Sequence, residues 1–258
     1  MKIAILYICT GIYNQFWEGF YNSSEQLFLN GVEKHYFVFT DDMKLSDAEN
    51  VHLNYKKFEG FPKDSLFRFE MFIRVKEQLK KFDYVFFFNA NMLFVAPVGE
   101  EFLPKDHEVM AVVHPGFYNK PAILYPYERN KQSTAYIPRG RDGYKYYMGS
   151  LNGGTAEGFL RLVEDCAQKT RDDWERGIVA VVHDESHLNR YMSENGCDAL
   201  SPAYAYPEGW KLPFEPKIMI RDKEKINPYF TKGRDHSLKG KVKKGFWILG
   251  NILRWYLK

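Results

Sequence analysis

Two short stretches of this sequence carry the side chains best suited to chemistry. The first spans residues 183–187 and reads His-Asp-Glu-Ser-His. A zinc hydrolase of the His-Glu-x-x-His type needs its glutamate directly after the first histidine, where it reaches the metal-bound water. Here Asp184 stands in that position and Glu185 falls on a different helical face, which argues against zinc hydrolysis. The two acids also suit the first turn of a helix, where they complement its dipole. That role and catalysis are compatible.

The second stretch, Asn89-Ala90-Asn91, directly follows the apolar run of residues 85–88. The run is too short for a helix and fits a strand buried on both faces, as in a parallel sheet. In open α/β sheets the ligand binds beyond the carboxyl ends of the strands. The two amides are therefore expected to face a ligand. A simple turn is the alternative, because asparagine is common in turns.

Strands and helices are expected to alternate around these stretches. We predict strands at residues 2–9, 35–40, 51–55, 85–88 and 109–113, and helices at 16–30, 69–82, after an N-cap at Thr155, and 183–192. Residues 148–154 are small and are predicted to be flexible, as expected where backbone must approach a ligand. This order indicates right-handed parallel crossovers and a Rossmann-like half. Without a repeat or a linker, residues 1–235 form a single predicted domain with halves 1–95 and 96–235, followed by a tail at 236–258.

Composition excludes several classes of protein. The 258 residues are 45% hydrophobic and 17% aromatic, which is typical of a well-packed globular protein. A net charge of +3 is too small to indicate nucleic acid as a partner. Cys9, Cys166 and Cys197 lack metal-ligand spacing and are expected to be reduced thiols of a cytoplasmic protein. No secretory signal precedes the first strand, and no apolar segment reaches transmembrane length.

Nine short segments, in order along the chain, carry a resemblance to a known family. They are HYFVFTDD (35–42), RFEM (68–71), the strand ending at 89–91, HPGFY (114–118), YER (127–129), STAYIP (133–138), residues 146–154, HDESHLNRY (183–191) and LSPAY (200–204). On these segments the sequence resembles glycosyltransferase family 6, which contains the ABO blood-group transferases and the α-1,3-galactosyltransferases. The resemblance implies an α/β GT-A fold, in which the nucleotide-binding half joins a donor-sugar and acceptor half around one mixed, mostly parallel sheet. It also implies retaining transfer of galactose or N-acetylgalactosamine from a UDP-sugar to O3 of a galactoside.

The sequence departs from the family at the asparagine pair. Vertebrate members carry Asp-x-Asp there, and those carboxylates hold a divalent metal against the UDP diphosphate. Neutral amide oxygens are much weaker ligands for Mg²⁺ or Mn²⁺. Some bacterial relatives share Asn-Ala-Asn, and resemblance to them implies a metal-independent enzyme with no cofactor. Cations would then offset the charge on the leaving UDP. The candidates are Arg68, Arg221, Lys223, Lys225, Lys232 and Arg234. Each of the five late cations could equally be a solvated surface charge.

The resemblance also implies individual roles. Glu185 would lie on the β-face of the donor anomeric carbon, as nucleophile or as stabiliser of the transition state. The implied donor-binding residues are Ile8, Cys9, Thr10, Tyr13, Arg68, Asn89, Ala90, Asn91, Met148, Gly149, Ser150 and Asp184. The implied acceptor-binding residues are His114, Tyr127, His183 and Glu185. The side chains of Met148 and Ser150 leave less room for an acetamido group than Leu-Gly-Gly would and slightly favour UDP-galactose. His114 favours a galactose-terminated acceptor, with or without fucose, while Val182 and Pro126 differ from the family and leave the acceptor open.

The tail at 236–258 is basic and then aromatic. Such a segment suits peripheral contact with the cytoplasmic face of a membrane, where an enzyme of surface-glycan synthesis would work. A helix that docks on the protein itself is the alternative. A second class of function also stays open at this point, namely a sugar-nucleotide- or glycan-binding protein that has lost catalysis. Retention of Asp184 and Glu185 argues against that second class.

Overall fold

The structure, a computed structural model, describes residues 1–60, 62–139, 145–231 and 250. The strands within these residues are β1 (Lys2–Ile8), β2 (Glu33–Thr40), β3 (Val51–Tyr55), β4 (Tyr84–Asn89), β5 (Met92–Phe94), β6 (Val109–Val113), β7 (Tyr147–Thr155), β8 (Asp198–Leu200), β9 (Tyr206–Pro207) and β10 (Ile218–Ile220). The α-helices are α1 (Trp17–Leu27), α2 (Lys63–Leu66), α3 (Arg68–Ile73), α4 (Lys76–Leu79), α5 (Ala156–Glu175), α6 (His183–Asn195) and α7 (Lys223–Ile226). Short 3₁₀ helices lie at Gly11–Phe16, Glu100–Phe102, Ala122–Leu124, Pro202–Ala205 and Pro228–Thr231.

The main sheet of the described chain has seven strands in the order β3-β2-β1-β4-β7-β6-β8. Only β7 runs against its neighbours, pairing antiparallel with both β4 and β6. A smaller three-stranded sheet, β5-β10-β9, lies beside it. The predicted α/β architecture around a mixed, mostly parallel sheet is therefore confirmed. The main sheet draws strands from both halves of the predicted domain, while the division of the chain at residue 95 stays a prediction.

The central strand β4 is buried on both faces, as its apolar run predicts. Phe86 and Phe88 pack on one face in a core that includes Phe20 of α1. Val85 and Phe87 pack on the other face against the helices α3 and α5. Aromatic side chains of this size each remove about 150–250 Å² from water. The helices on both faces thereby hold the carboxyl end of β4 in a fixed place.

The flexibility predicted for residues 148–154 is not found, because this stretch forms the interior strand β7. Close packing against the neighbouring strands explains two of its glycines. A side chain at Gly153 would overlap the ring of Phe86, and one at Gly154 would overlap the carbonyl oxygen of Glu108. The backbone of β7 therefore approaches its neighbours too closely for any Cβ at these two positions.

Two predicted helices differ in extent from the observed ones. The helix predicted at 69–82 is divided into α3 and α4, because Val75 leaves the helical region at φ −111° and ψ 13°. Its apolar spacing survives, since Phe69, Phe72, Val75 and Leu79 are all buried in one core. The helix predicted at 16–30 corresponds to α1, which begins at Trp17 directly after a 3₁₀ turn and ends at Leu27.

The strands β1, β2 and β4 end at the same edge of the sheet. Ile8 of β1 lies in register with Phe39 of β2 on one side and with Asn89 of β4 on the other. The loops that follow these parallel strands therefore meet, as the general rule for ligand sites in open α/β sheets requires. None of the helices in the described part of the chain is long and apolar enough to cross a membrane. The tail at 236–258 lies outside the described residues apart from Gly250.

Candidate active site

A pocket of about 260 Å³ opens at the carboxyl ends of β1 and β4. Seven residues named from the sequence line it together: Ile8, Thr10, Tyr13, Arg68, Asn89, Ala90 and Lys223. These residues come from separate parts of the chain, and only the fold brings them together. Phe58, Gly60, Asp64 and Ser65, which the sequence did not single out, line the same pocket.

Asp41, directly after the neighbouring strand β2, holds the loop that follows β1. The backbone N–H of Gly11 donates to both carboxylate oxygens of Asp41, at 2.8 and 3.0 Å. The side-chain amide of Asn14 donates to the same carboxylate at 3.0 Å. Gly11 has φ +54°, a left-handed conformation that favours glycine. Asp41 therefore holds the loop that carries Thr10 and Tyr13 to the pocket.

Tyr13 contributes an aromatic face beside a cation. Its ring centroid lies 5.0 Å from that of Phe230 in an edge-to-face arrangement. The ammonium group of Lys223 lies 5.0 Å from the centroid of the Tyr13 ring and 3.3 Å from its hydroxyl oxygen. An aromatic ring next to a positive charge suits a ligand that carries both a base and phosphates.

The Cys9 side chain does not line the pocket. It is fully buried in the core beneath the sheet edge, on the side opposite Ile8 and Thr10, because side chains alternate along a strand. Burial raises the pKa of its thiol well above the ordinary value. Any contact of Cys9 with a ligand is therefore confined to its backbone.

The asparagine pair is tied into the protein by its own hydrogen bonds. The Asn89 amide donates to Oδ1 of Asn91 at 3.0 Å, and the Asn91 amide donates to the carbonyl oxygen of Arg221 at 2.8 Å. Asn91 is only 3% exposed and does not line the pocket, whereas Asn89 and Ala90 do. Asn91 thus joins the end of β4 to the segment before α7.

The residues at this position do not fit a hard divalent cation. Both amides are neutral, and the Asn91 oxygen already accepts a hydrogen bond. Among the residues that the structure describes, no group of three or more His, Cys, Asp or Glu side chains could hold a metal ion. The donor set lacks the anionic oxygens that Mg²⁺ and Mn²⁺ require.

The late cations separate into different environments. Lys223 lines the pocket. The guanidinium of Arg221 lies 5.5 Å from the centroid of the Phe16 ring, and Lys225 donates to Glu208 at 3.0 Å on the surface. The structure therefore does not place Arg221 or Lys225 in the pocket, in contrast to the role suggested for them in binding the diphosphate. Lys232 and Arg234 lie outside the described residues.

The helix α6 begins at a strained residue. His183 has φ +50°, in the left-handed region that a side chain other than glycine rarely adopts. The hydroxyl of Ser186 accepts a hydrogen bond from the Val182 N–H at 3.0 Å and so holds the residue before the helix. Asp184 and Glu185 occupy the first turn, where the dipole of α6 favours negative charge.

Asp184 forms a buried ion pair with Arg68 of α3. One guanidinium nitrogen lies 2.7 Å from Oδ2 of Asp184, and the same nitrogen donates to the carbonyl oxygen of Gly149 at 2.7 Å. The guanidinium also stacks over the ring of Phe87 at 4.4 Å. Burial raises the pKa of Asp184, while the charge of Arg68 opposes that shift. Arg68 therefore links the pocket to the acids of α6.

The Glu185 carboxylate is held at both oxygens. Tyr146 donates its hydroxyl to Oε1, and the N–H of Gly149 donates to Oε2 at 2.7 Å. Burial raises the pKa of Glu185 to about 7, against the lowering effect of these two hydrogen bonds. A Cβ at Gly149 would lie 3.2 Å from Cβ of Glu185, so glycine suits this close approach. A buried carboxyl group with this pKa is typical of a catalytic residue.

Three of the four predicted acceptor residues gather around Tyr146, and the fourth, His183, begins α6. The ring centroids of His114 and Tyr127 lie 5.7 and 5.5 Å from that of Tyr146. Nδ1 of His114 accepts from the Gly116 N–H at 2.9 Å, and burial lowers the pKa of this imidazole to about 4. His114 is therefore neutral near pH 7. Glu185, His114 and Tyr127 all contact Tyr146, so the structure brings these three predicted residues together.

The residues expected to distinguish donor sugars lie on β7. Met148 is half-buried, packed against the core, while Ser150 is buried. Within the described chain the Ser150 hydroxyl has no hydrogen-bond partner. Gly149, between them, donates its N–H to Glu185, and a Cβ at this position would lie 3.3 Å from Oδ2 of Asp184.

Sequence reasoning missed several residues that organise the site. Tyr146 holds Glu185, Asp41 holds the loop after β1, and Phe58 lines the pocket. Asn189 was also missed, although its side chain joins α6 to β7. Tyr146, Asp41 and Asn189 lie inside the segments that carry the family resemblance, and this was the available signal. Their residue types alone indicate no chemistry.

A mixed α/β sheet, a pocket at its strand ends and a buried Asp-Glu pair that Arg68 joins to that pocket fit a glycosyltransferase of the GT-A type. The model of glycosyltransferase family 6 matches residues 1–225, and the chain belongs to this family. Its classification as an enzyme, a hexosyltransferase, is confirmed with the family.

Relatives of this chain include proteins from bacteria and vertebrates. The chain is 39% identical to the O-antigen biosynthesis glycosyltransferase WbnI of Escherichia coli, over 89% of this chain and 98% of that protein. It is 30% identical to globoside α-1,3-N-acetylgalactosaminyltransferase 1 of Gallus gallus, over 85% of this chain and 65% of that protein. It is 34% identical to histo-blood group ABO system transferase 1 of Rattus norvegicus, over 74% and 58% respectively. The chain thus spans less than two thirds of the length of these vertebrate relatives.

Proposed function

We propose that this enzyme transfers galactose or N-acetylgalactosamine from a UDP-sugar to O3 of a galactose-terminated glycan, with retention of configuration and without a divalent metal. The observation that carries the proposal is the Glu185 carboxylate, held at both oxygens beside the Asp184–Arg68 pair. A retaining transfer needs such a carboxylate next to the anomeric carbon. The names of the relatives, which specify α-1,3-N-acetylgalactosaminyl transfer and O-antigen biosynthesis, support the linkage and a place in surface-glycan synthesis.

The chemistry replaces one C1–O bond with another. The bond from C1 of the sugar to the UDP oxygen breaks, and UDP leaves with the bonding electrons. In one route Glu185 attacks C1 and is then displaced by O3 of the acceptor. In the other route Glu185 stabilises an oxocarbenium-like transition state while O3 attacks from the face that UDP leaves. In both routes the proton of the acceptor hydroxyl passes to the departing diphosphate. Asp184, oriented by Arg68, is suited to accept hydrogen bonds from hydroxyls of the donor sugar.

Absence of a metal shifts the task of stabilising the diphosphate to cations of the protein. Lys223 lines the pocket beside Tyr13, and Arg68 lines it from the other side. A preorganised positive charge near a leaving group stabilises the charge that develops in the transition state. Lys223 is therefore the proposed diphosphate contact, while the guanidinium of Arg68 pairs with Asp184.

Donor choice and location extend the proposal. The side chains at Met148 and Ser150 support a small preference for UDP-galactose, because they leave less room for an acetamido group than glycine would. We propose a cytoplasmic location for the enzyme, with peripheral contact between the tail and the inner face of the membrane. A substrate exposed on the cytoplasmic leaflet would be consistent with that location.

The substitution Glu185→Gln tests the proposal. It keeps the size of the side chain and removes its negative charge, so kcat should fall about 10²–10³-fold with donor affinity nearly unchanged. The assay measures transfer from UDP-galactose and from UDP-N-acetylgalactosamine to lactose, together with UDP binding by calorimetry. Glu164→Gln on the exposed side of α5 is the matched control. A Glu185→Gln enzyme with near-normal kcat would overturn the proposal. Wild-type protein that binds UDP but turns over neither donor would favour a binding protein without catalysis.

A further inference from the structure

Among the residues that the structure describes, Glu185 is the hydrogen-bond partner of the Tyr146 hydroxyl. The Tyr146 hydroxyl donates to Oε1 of Glu185, while the backbone N–H of Gly149 donates to Oε2. The Tyr146 ring is 1% exposed and packs against the rings of Phe117 and Tyr125, with centroids 5.1 and 5.9 Å away. A buried ring in a cluster of aromatic side chains has little freedom to move its hydroxyl.

The backbone near Tyr146 is also fixed against the helix that carries Glu185. The carbonyl oxygen of Asn189's side chain accepts from the Tyr147 N–H at 2.9 Å, and its amide donates to the Tyr147 carbonyl oxygen at 2.8 Å. The same amide donates to the carbonyl oxygen of Glu185 at 2.8 Å. On the other side, the His114 N–H donates to the Tyr146 carbonyl oxygen at 2.9 Å. These bonds set the distance between the Tyr146 hydroxyl and the carboxylate.

We infer that Tyr146 is a positioning residue for Glu185, whose hydroxyl holds the carboxylate in one orientation and favours its ionised form during transfer. This inference rests on the proposed function of Glu185. It adds a role for a residue whose type and place in the sequence indicated none. The remaining groups that act on Glu185 are Asp184 on α6, which disfavours a second negative charge, and Arg68 on α3, which favours it. Burial of the carboxyl group is the largest influence against ionisation.

The pH dependence of turnover distinguishes positioning through this bond from a packing role. A hydrogen bond donated to a carboxylate lowers its pKa. Its removal should therefore move the acid limb of the kcat profile to higher pH. A substitution that only loosens the aromatic cluster should instead lower kcat by a similar factor at every pH.

The experiment compares Tyr146→Phe, Tyr125→Phe and Glu185→Gln in the full chain between pH 5.5 and 9. For Tyr146→Phe we expect kcat to fall about 10- to 100-fold near neutral pH, as for the loss of a hydrogen bond to a charged group. The loss should be greater at pH 6 than at pH 9, and KM for the donor should change less than about twofold. Tyr125→Phe removes a hydroxyl from the same cluster without removing a bond to Glu185. Its pH profile should follow that of the wild type.

Each possible outcome supports or contradicts either the inference about Tyr146 or the proposed function. A Tyr146→Phe profile that superimposes on the wild-type profile, or a loss that is equal at all pH values, overturns the inference while leaving the proposed function intact. The same holds if Tyr125→Phe shifts the acid limb as far as Tyr146→Phe does. Near-normal kcat in Glu185→Gln overturns the proposed function itself. Loss of kcat in Glu185→Gln together with the shifted limb in Tyr146→Phe supports both.

Discussion

Replacing Arg68 with methionine should destabilise the protein in a way that depends on pH. The substitution keeps an apolar stem over Phe87 but removes the guanidinium that pairs with Asp184. Arg68 is 8% exposed and Asp184 is 5% exposed, so solvent cannot replace the lost partner. Removing one member of a buried ion pair typically costs about 3–5 kcal/mol, because the other charge is left buried alone.

Protonation of Asp184 limits that loss of stability and makes it depend on pH. Burial raises the pKa of Asp184, and without Arg68 the shift is larger. A carboxyl group whose folded pKa exceeds its unfolded value of about 3.9 loses stability as pH rises from the unfolded value toward the folded one. The cost of keeping Asp184 neutral is about 1.4 kcal/mol per pH unit above 3.9. The expected loss is therefore greater at pH 7 than at pH 5, with about 3–5 kcal/mol as the usual range for breaking a buried ion pair, in addition to the lost bond to Gly149.

Urea unfolding at pH 5 and pH 7 measures this difference. The double variant Arg68→Met/Asp184→Asn should recover most of the loss at pH 7, because the buried charge is then gone. Arg161→Met is the control, since Arg161 pairs with Glu108 on the surface and its removal should change the free energy of unfolding by less than about 1 kcal/mol. An equal loss at both pH values, without rescue by Asp184→Asn, would refute the assignment of Asp184 as a buried carboxylate dependent on Arg68.

Two further predictions concern solution conditions. Turnover should be retained in EDTA, because neutral amides stand at Asn89 and Asn91; loss of turnover that Mn²⁺ restores would show that a metal is required. Acid should destabilise the fold through His187, since burial lowers its pKa to about 4 while the unfolded chain takes up the proton at about pH 6.5. The free energy of unfolding should thus fall between pH 6.5 and 4 by up to about 3 kcal/mol for this residue. The substitution His187→Gln should flatten that decline. A decline of the same size in His187→Gln would show that another group causes it.

The sequence predicted best what depends on short-range pattern. The buried run before Asn89 forms the central strand, and Thr155 caps α5 by accepting from the Gly158 N–H. These features follow from residues within a few positions of each other, so apolar spacing and cap chemistry suffice. The resemblance to family 6 then supplied Glu185 and Asp184, whose local pattern fits an ordinary helix start equally well.

What the sequence left undetermined depends on distant backbone. Gly153 and Gly154 have the composition of a flexible loop, yet they are required because Phe86 and Glu108 approach them from the two neighbouring strands. Asn91 has the composition of a turn or a ligand contact, yet its amide bonds to Arg221, 130 residues away. No local rule distinguishes a glycine that makes the backbone flexible from a glycine that allows a neighbouring strand to approach closely.

The same argument explains why Tyr146 was not found among the candidate residues. Its importance comes from a single hydroxyl that meets Glu185 across 39 positions of sequence. That meeting is held in place by the strand β7, whereas the sequence predicted a flexible stretch there. A rigid strand, tied to α6 by Asn189, can present a donor to a carboxylate at a fixed distance, and a flexible loop cannot. The wrong assignment of 148–154 and the missed role of Tyr146 are therefore one error. Once β7 is recognised as a strand, the tyrosine directly before it becomes the natural partner for Glu185.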